Sequence, residues 1–361
     1  MEKNKVDLII DTLSFGGAER VCVNYANFLA DTGYDVRIIV FRKTEKNYAP
    51  LLNSNIDVSY LNCKNSIQLI GKIITKRITL QKTVVAFNHQ IAIAVHISKT
   101  ITHKKIRLIA RNVNYLSRDL EIRKPSIKKL LTKLTMKLLY KNIDHFIAQC
   151  DAMKLDMINY LDVNHEKIDV VYNPVSNNIY KIEGCEKDID VLFVGRLSPQ
   201  KGIPFLIRII KSVLSHNNNT SFTIIGDGPL SSKISHEIEE IQKEYKTNNI
   251  TYIRETSNIN EFYNRSKITI LTSLYEGFPN VLAESLKVGT PVISFDCQSG
   301  PSEIIRDGVN GYLIPTNDIR LFTEKITDLL YKNIKLTDIK YFNEKNSYAV
   351  LTKALANYEI K

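Results

Sequence analysis

The chain has 361 residues, 44% of them apolar, which is ample for two α/β domains and more than one α/β core usually holds. Lysine and arginine total 49 against 38 acidic residues, and the resulting charge of +11 suits an anionic partner, whether phosphate-bearing substrate, anionic bilayer or nucleic acid. Five scattered cysteines (Cys22, Cys63, Cys150, Cys185, Cys297) argue against a disulfide framework or a CxxC metal site, and no apolar run reaches the ~18 residues of a spanning helix.

The first apolar run, residues 6–10, ends at Asp11 and is shorter than a signal-peptide core, so the expectation is a cytoplasmic protein. It reads as a strand. Ser14-Phe15-Gly16-Gly17-Ala18-Glu19-Arg20 follows and leads into a helix over 17–30. Two glycines at such a turn either let an anion approach the backbone or simply turn the chain. They do not form G-x-G-x-x-G, which disfavours a nicotinamide dehydrogenase.

Further strands are predicted over 36–41, 58–61, 83–87, 106–110 and 145–148, with helices over 66–76, 91–98 and 128–139. This alternation indicates a mostly parallel sheet covered on both faces. Arg111, Asn112 and Arg118 stand in the loop after the 106–110 strand, as candidates for holding an anionic acceptor. From Ser126 to Lys141, Lys129, Lys133, Lys137 and Lys141 recur every fourth residue beside Ile127, Leu130, Leu131, Leu134 and Leu138. Such a basic amphipathic helix either rests on anionic lipid or packs its leucines into the domain.

Val170-Val171-Tyr172-Asn173-Pro174 closes the first half, and Pro174 argues for a turn or hinge. Strands over 191–194, 222–225, 268–271 and 291–295 and helices over 204–214 and 280–287 then restart the pattern. The division expected is an N-terminal domain over 1–173, a linker over 174–189, a second domain over 190–340, and a segment over 341–361 long enough to return to the first. In doubly wound sheets ligands bind beyond the carboxyl ends of the strands, which puts the expected active site in a cleft between the domains.

Gly195-Arg196-Leu197-Ser198-Pro199-Gln200-Lys201-Gly202 sets two cations in one strand-to-helix loop. They match a diphosphate, unless the loop is merely solvated. Gly228, in Gly226-Asp227-Gly228-Pro229, either admits a base or phosphate or turns the chain. Glu276 and Glu284 flank a helix start at Pro279, where the amides of Asn280, Val281 and Leu282 favour phosphate oxygens. Glu284 suits ribose hydroxyls and Glu276 a sugar hydroxyl or positive charge near the anomeric carbon, unless Glu284 is a solvent-facing helical residue and Glu276 a loop carboxylate.

Glu276 to Glu284, Gly289-Thr290-Pro291-Val292-Ile293, Gly300-Pro301-Ser302-Glu303, Gly195-Arg196-Leu197 with Lys201-Gly202, and Gly16-Gly17-Ala18-Glu19-Arg20 occur in the order of a known family. The chain resembles the retaining GT-B glycosyltransferases of family 4, related to bacterial lipopolysaccharide, O-antigen and capsule transferases. That resemblance implies an α/β GT-B fold of two doubly wound, Rossmann-like domains facing across a cleft, the first binding acceptor and the second a UDP-sugar or GDP-sugar. It places Arg196 and Lys201 on the donor diphosphate, Glu284 on its ribose, Glu276 on the transferred sugar and Gly17 beside the reacting diphosphate. His89 is the candidate for the family histidine near the reaction centre, with Asn88 the alternative by an offset of one. Neither a cofactor nor a metal is expected; His89 and His96 lack a ligand set. The implied mechanism is a same-face one in which the leaving phosphate helps deprotonate the acceptor hydroxyl. The implied partners are a nucleotide sugar, a glycan or polyprenyl-diphosphate-linked acceptor and an anionic membrane surface, with the enzyme peripheral at the inner face of the cell membrane. A soluble or protein acceptor, or a noncatalytic binding subunit, are the alternatives. Nucleic acid is disfavoured because the cations are not joined to an aromatic recognition module.

Overall fold

In the computed structural model the described residues are 4–14, 16–45, 47–112, 115–122, 127–332 and 344–356. Phe15, Ser126 and the ends of the 341–358 segment lie outside them, as do the side chains of Ile127, Lys129 and Leu131. The chain separates into two units, residues 1–174 with 343–361, and residues 175–342.

Unit 1 runs β1 (Lys5–Ile10), α1 (Gly17–Asp31), β2 (Asp35–Val40), β3 (Asp57–Tyr60), α2 (Ser66–Ile74), β4 (Thr83–Ala86), α3 (His89–Thr102), β5 (Arg107–Arg111), α4 (Leu116–Ile122), α5 (Ile127–Leu139), β6 (His145–Ala148), α6 (Asp151–Leu161) and β7 (Ile168–Val170). The strands form one sheet in the order β3-β2-β1-β4-β5-β6-β7, with parallel neighbours throughout. Both faces are covered, so the central strands are largely apolar, and where β1 carries the buried Asp7, Arg37 of β2 pairs with it at 2.8 Å. Val6, Leu8 and Ile10 of β1 pack with Val21, Tyr25, Ala26 and Leu29 of α1. Gly33, at φ +92°, ends that helix: its amide reaches Ala30 O at 3.1 Å and the Tyr34 amide reaches Leu29 O at 2.9 Å.

Unit 2 runs β8 (Ile189–Val194), α7 (Ile203–His216), β9 (Phe222–Ile225), α8 (Ser231–Tyr245), β10 (Ile250–Ile253), α9 (Ile259–Arg265), β11 (Ser266–Leu271), α10 (Asn280–Lys287), β12 (Val292–Phe295), α11 (Pro301–Ile304), β13 (Gly311–Ile314) and α12 (Ile319–Tyr331). Its sheet order is β10-β9-β8-β11-β12-β13. Residues 175–188 are tied to this unit: the amides of Tyr180 and Ile182 reach Asn260 Oδ1 (2.9 Å) and Asn264 Oδ1 (2.7 Å), and Lys187 Nζ reaches Ser266 O (2.6 Å) and Thr290 Oγ1 (2.9 Å).

The chain returns to unit 1 as α13 (Glu344–Ala356). Leu351 and Leu355 join the unit 1 core, and the Tyr348 ring stacks on Phe28 at 4.1 Å. Arg107 of β5 donates to the carbonyls of Ala354 (2.5 Å) and Leu355, closing the carboxyl end of α13 with a cation. Strand order reverses between β1 and β4 in unit 1 and between β8 and β11 in unit 2, the two positions where open α/β sheets open a crevice at their carboxyl ends.

Candidate active site

The unit 2 reversal point is built from the loops after β8 and β11. A single 3-10 turn, Pro199–Lys201, ends at Gly202, whose φ of +62° is left-handed and whose missing side chain makes room for the Thr272 carbonyl, 2.0 Å from where a Cβ would stand. Three hydrogen bonds then stitch the loops: Thr272 Oγ1 to Lys201 O (2.8 Å), the Leu274 amide to Gln200 O (2.8 Å) and Gln200 Nε2 to Tyr275 O (3.0 Å). This register brings Lys201 Nζ to 2.5 Å from Glu276 Oε1, and Ser273 Oγ donates to the same oxygen at 2.5 Å. Glu276 is only 6% exposed, so its charge is held by a cation and a hydroxyl rather than by water. Arg196 is exposed in the same loop, and among the described residues it has no ion-pair partner.

Glu284 lies in the second turn of α10, 4% exposed, with Tyr263 of α9 donating its hydroxyl to Oε2 at 2.8 Å. At the start of α10 the Leu282 amide already donates to Pro279 O at 3.0 Å, whereas Asn280 and Val281 occupy the first two helical positions. The loop after β12 closes this side, with Ser299 Oγ donating to Gly277 O at 3.0 Å. Cys297 is buried beside the ion pair; burial, reinforced by the Glu276 carboxylate and opposed by Lys201, pushes its thiol well above the ordinary range. Gly228 stands in the loop after β9, but its amide donates to Asp227 Oδ1 (2.9 Å) and Ser231 Oγ (2.8 Å), and a Cβ there would sit 2.5 Å from Leu197 O. Contact with the β8 loop is therefore enough to require glycine at 228.

At the unit 1 reversal point Gly17 is the first residue of α1, after β1, and His89 the first residue of α3, after β4. Glu19 folds back over the helix start: its Oε2 lies 2.3 Å from where a Gly16 Cβ would be, and Thr12 Oγ1 donates to its Oε1 at 3.1 Å. A carboxylate thus already complements the positive end of α1. The Asn88 side chain accepts the Ile91 amide at 2.7 Å as the N-cap of α3, which engages its oxygen, while His89 is 9% exposed.

Arg111 and Asn112, expected in the loop after the 106–110 strand, are buried inside unit 1 instead. Arg111 is the last residue of β5, fully buried between the rings of Tyr25 (5.6 Å) and Phe87 (5.1 Å), and donates to Asn173 Oδ1 at 2.6 Å. Asn112 accepts from the Tyr140 hydroxyl and, through its carbonyl, from Gln149 Nε2 at 2.5 Å. Both side chains are buried; β5 extends one residue further than expected and takes the guanidinium inward. Arg118 is exposed and paired with Glu121 at 3.1 Å.

Ser273, Tyr263 and Gln200 escaped the sequence reading. Ser273 stands three residues before Glu276, but Tyr263 is 21 residues from Glu284 and no local spacing joins them. Asp188 and Asp190 lie at the amino end of β8, away from this site, engaged by Arg265 (2.5 Å) and Lys267 (2.7 Å). Among the described residues no group of three or more His, Cys, Asp or Glu is placed to hold a metal ion.

Two family models divide the chain between them. Residues 15–178 match Glycosyltransferase Family 4 and residues 176–346 match Glycosyl transferases group 1. The chain is similar to the amylovoran biosynthesis glycosyltransferase AmsD of Erwinia amylovora, 26% identical over 334 residues and covering 90% of each chain. It is also 27% identical over 332 residues to an α-1,4-N-acetyl-D-galactosaminyltransferase of Campylobacter jejuni acting on GalNAc-α-(1→4)-GalNAc-α-(1→3)-diNAcBac-PP-undecaprenol, covering 89% of this chain and 88% of that one. Among solved structures, HepE of Anabaena in complex with UDP and glucose superimposes with a TM-score of 0.80 at 18% identity, over 98% of this chain and 99% of that one.

Proposed function

Since the chain is a GT-B-fold glycosyltransferase related to the family 4 and group 1 enzymes, we propose that it moves a sugar from a nucleotide-sugar donor to a glycan acceptor in cell-surface polysaccharide synthesis, with retention of anomeric configuration. The observation that carries this reading is the cluster at the unit 2 reversal point: Arg196 exposed, Lys201 held by Glu276, and Glu284 held by Tyr263 beside the start of α10. As the nucleoside diphosphate departs it gains negative charge, and Arg196 with Lys201 stabilises that charge more than the ground state. Glu284 accepts from ribose hydroxyls and Glu276 from the transferred sugar. On unit 1, Gly17 is assigned to the diphosphate and His89 to the sugar, as the family resemblance implies. The donor class agrees with the UDP and glucose bound by HepE.

For the acceptor, the reading is a lipid-linked glycan, the class named for the Campylobacter relative. Helix α5 supports it: Leu130, Leu134 and Leu138 are 66%, 53% and 57% exposed, and Lys133, Lys137 and Lys141 are exposed as well. Of the leucines for which burial was the alternative, these three therefore face outward, and a basic, apolar helix face fits the boundary of an anionic bilayer. No helix among the described residues is long and apolar enough to cross a membrane.

The test is product analysis after incubation with a panel of UDP- and GDP-sugars and lipid-linked acceptor extracts. The expected result is transfer from one donor with the anomeric configuration kept, and loss of turnover in Arg196→Ala and Glu276→Ala proteins that remain folded. An inverted product overturns retention, and full turnover in both variants overturns the site.

A further inference from the structure

A second basic site stands on unit 1, away from the residues assigned above. Beyond β1, β2 and β3 the backbone ladder continues for one or two residues, with the Phe41 amide on Ile10 O (2.9 Å), Arg42 on Asp11 O (2.8 Å) and Cys63 on Phe41 O (2.9 Å). Asn62, left-handed at φ +49°, makes the turn that returns Cys63 to this ladder. The segments after β2 and β3 thus end side by side and border an open depression of about 400 Å³ lined by Arg42, Lys43, Asn62, Cys63 and Lys64.

Three of its five lining residues are cations. Arg42 holds Asp11 with Nε on Oδ1 (3.2 Å) and Nη2 on Oδ2 (2.5 Å), which orients the guanidinium and accounts for one positive charge. Lys43 lies over the Tyr60 ring at 5.6 Å, and among the described residues neither Lys43 nor Lys64 has a carboxylate partner. Both are exposed. Two unbalanced ammonium groups facing one depression repel each other, and a dianion removes that repulsion where a single carboxylate would leave a surplus charge. The depression also lies at the carboxyl ends of a doubly wound sheet, where ligands bind. The end of β3 is two strand spacings, about 10 Å, from the end of β1 and its glycine turn.

We propose that this depression is an anion subsite that receives a phosphate-bearing group of the acceptor, with Lys43 and Lys64 supplying the charge and Arg42, steadied by Asp11, a directed donor. This rests on the glycosyltransferase reading above and narrows its acceptor to a phosphate-bearing glycan. The lining residues stand one and two strand spacings, about 5–10 Å, from the end of β1, so on the glycosyltransferase reading the hydroxyl that reacts is separated from the phosphate by about a sugar unit.

The test is calorimetric titration of the full chain, first with UDP and then, in its saturating presence, with inorganic pyrophosphate. UDP binding reports on the donor reading by itself. With UDP bound, pyrophosphate is expected to bind the parent protein and to lose affinity about tenfold or more in the Lys43→Gln/Lys64→Gln protein, while UDP affinity is unchanged. Equal pyrophosphate affinity in both proteins overturns the subsite. Geranyl diphosphate, titrated as a monomer in parallel, separates the sources. Tighter binding than pyrophosphate, lost in the double variant, supports a prenyl-linked acceptor, and equal binding, also lost, supports recognition of the phosphate alone. Geranyl diphosphate binding that survives in the double variant overturns the proposal.

Discussion

Lys201 and Glu276 neutralise one another at 2.5 Å, so on the proposed donor reading a diphosphate arriving at Arg196 would have to draw the ammonium away from a carboxylate that Ser273 also holds. Removing the cation and loosening its partner should therefore have different costs. Lys201→Ala is expected to lower kcat by about 10²-fold, the size of effect seen when one transition-state donor is lost. Ser273→Ala removes one hydrogen bond, about 1 kcal/mol, and is expected to change kcat/KM by about fivefold. Steady-state kinetics with the donor distinguishes them; equal losses would show that Ser273 does more than steady Glu276. The sequence showed both glutamates and both cations, because strand-to-helix loops are short and their charges stand out. It did not show that Lys201 meets Glu276, 75 residues away, because that contact follows from β8 and β11 pairing in the sheet. His96 on α3 offers a separate check of residue environment. Burial, then Lys99, pulls its pKa below the ordinary histidine value, outweighing Asp144. A folded pKa below the unfolded one means full stability above about 6.5 and loss as pH falls through the folded value. The resistance of the parent protein to urea should fall on acidification from pH ~6.5, and His96→Gln should flatten that decline; an unchanged slope would put its cause elsewhere, with His145, lowered by burial despite Asp169, the next group to replace.

At the scale of elements, β6, β9 and α10 have the bounds that their apolar runs suggested, because each is a short buried segment flanked by polar residues. α8 does not stand out in the sequence, although Ile234, Ile238 and Ile241 mark a buried helical stripe, because serines, lysines and glutamates on its other face mask it. β10 is a four-residue edge strand with a partly exposed surface, too short for its period to register. For α5 the sequence pattern left the leucines either on anionic lipid or packed into the domain, and the structure buries Met136 and turns Leu130, Leu134 and Leu138 outward. Replacing Leu134 by Glu places a charge in the middle of that face without touching the core. It is expected to weaken flotation with phosphatidylglycerol vesicles about tenfold and to leave donor binding unchanged. Undiminished flotation would remove α5 from the membrane-facing role.

For the molecule as a whole, the same device appears twice: a parallel sheet whose strand order reverses between its first and fourth strands, with glycine turns and charged residues at the carboxyl ends of the strands flanking the reversal. Unit 2 is continuous in sequence, whereas unit 1 takes α13 from beyond it. Leu351→Ala, at a fully buried position of α13, should cost unit 1 about 2–5 kcal/mol. Differential scanning calorimetry with a fluorescent probe on each unit would show the loss in unit 1, and a shift confined to unit 2 would contradict this division. The order of residues also sets an order in time. During synthesis residues 175–342 leave the ribosome before α13 does, so unit 2 has its whole core available while the carbonyls that Arg107 will bind do not yet exist. The nascent first unit, with the α13 docking surface uncovered, is then the species a holdase chaperone would meet, and its residence time is set by the translation of about 170 intervening residues at 5–20 residues per second, on the order of ten to thirty seconds.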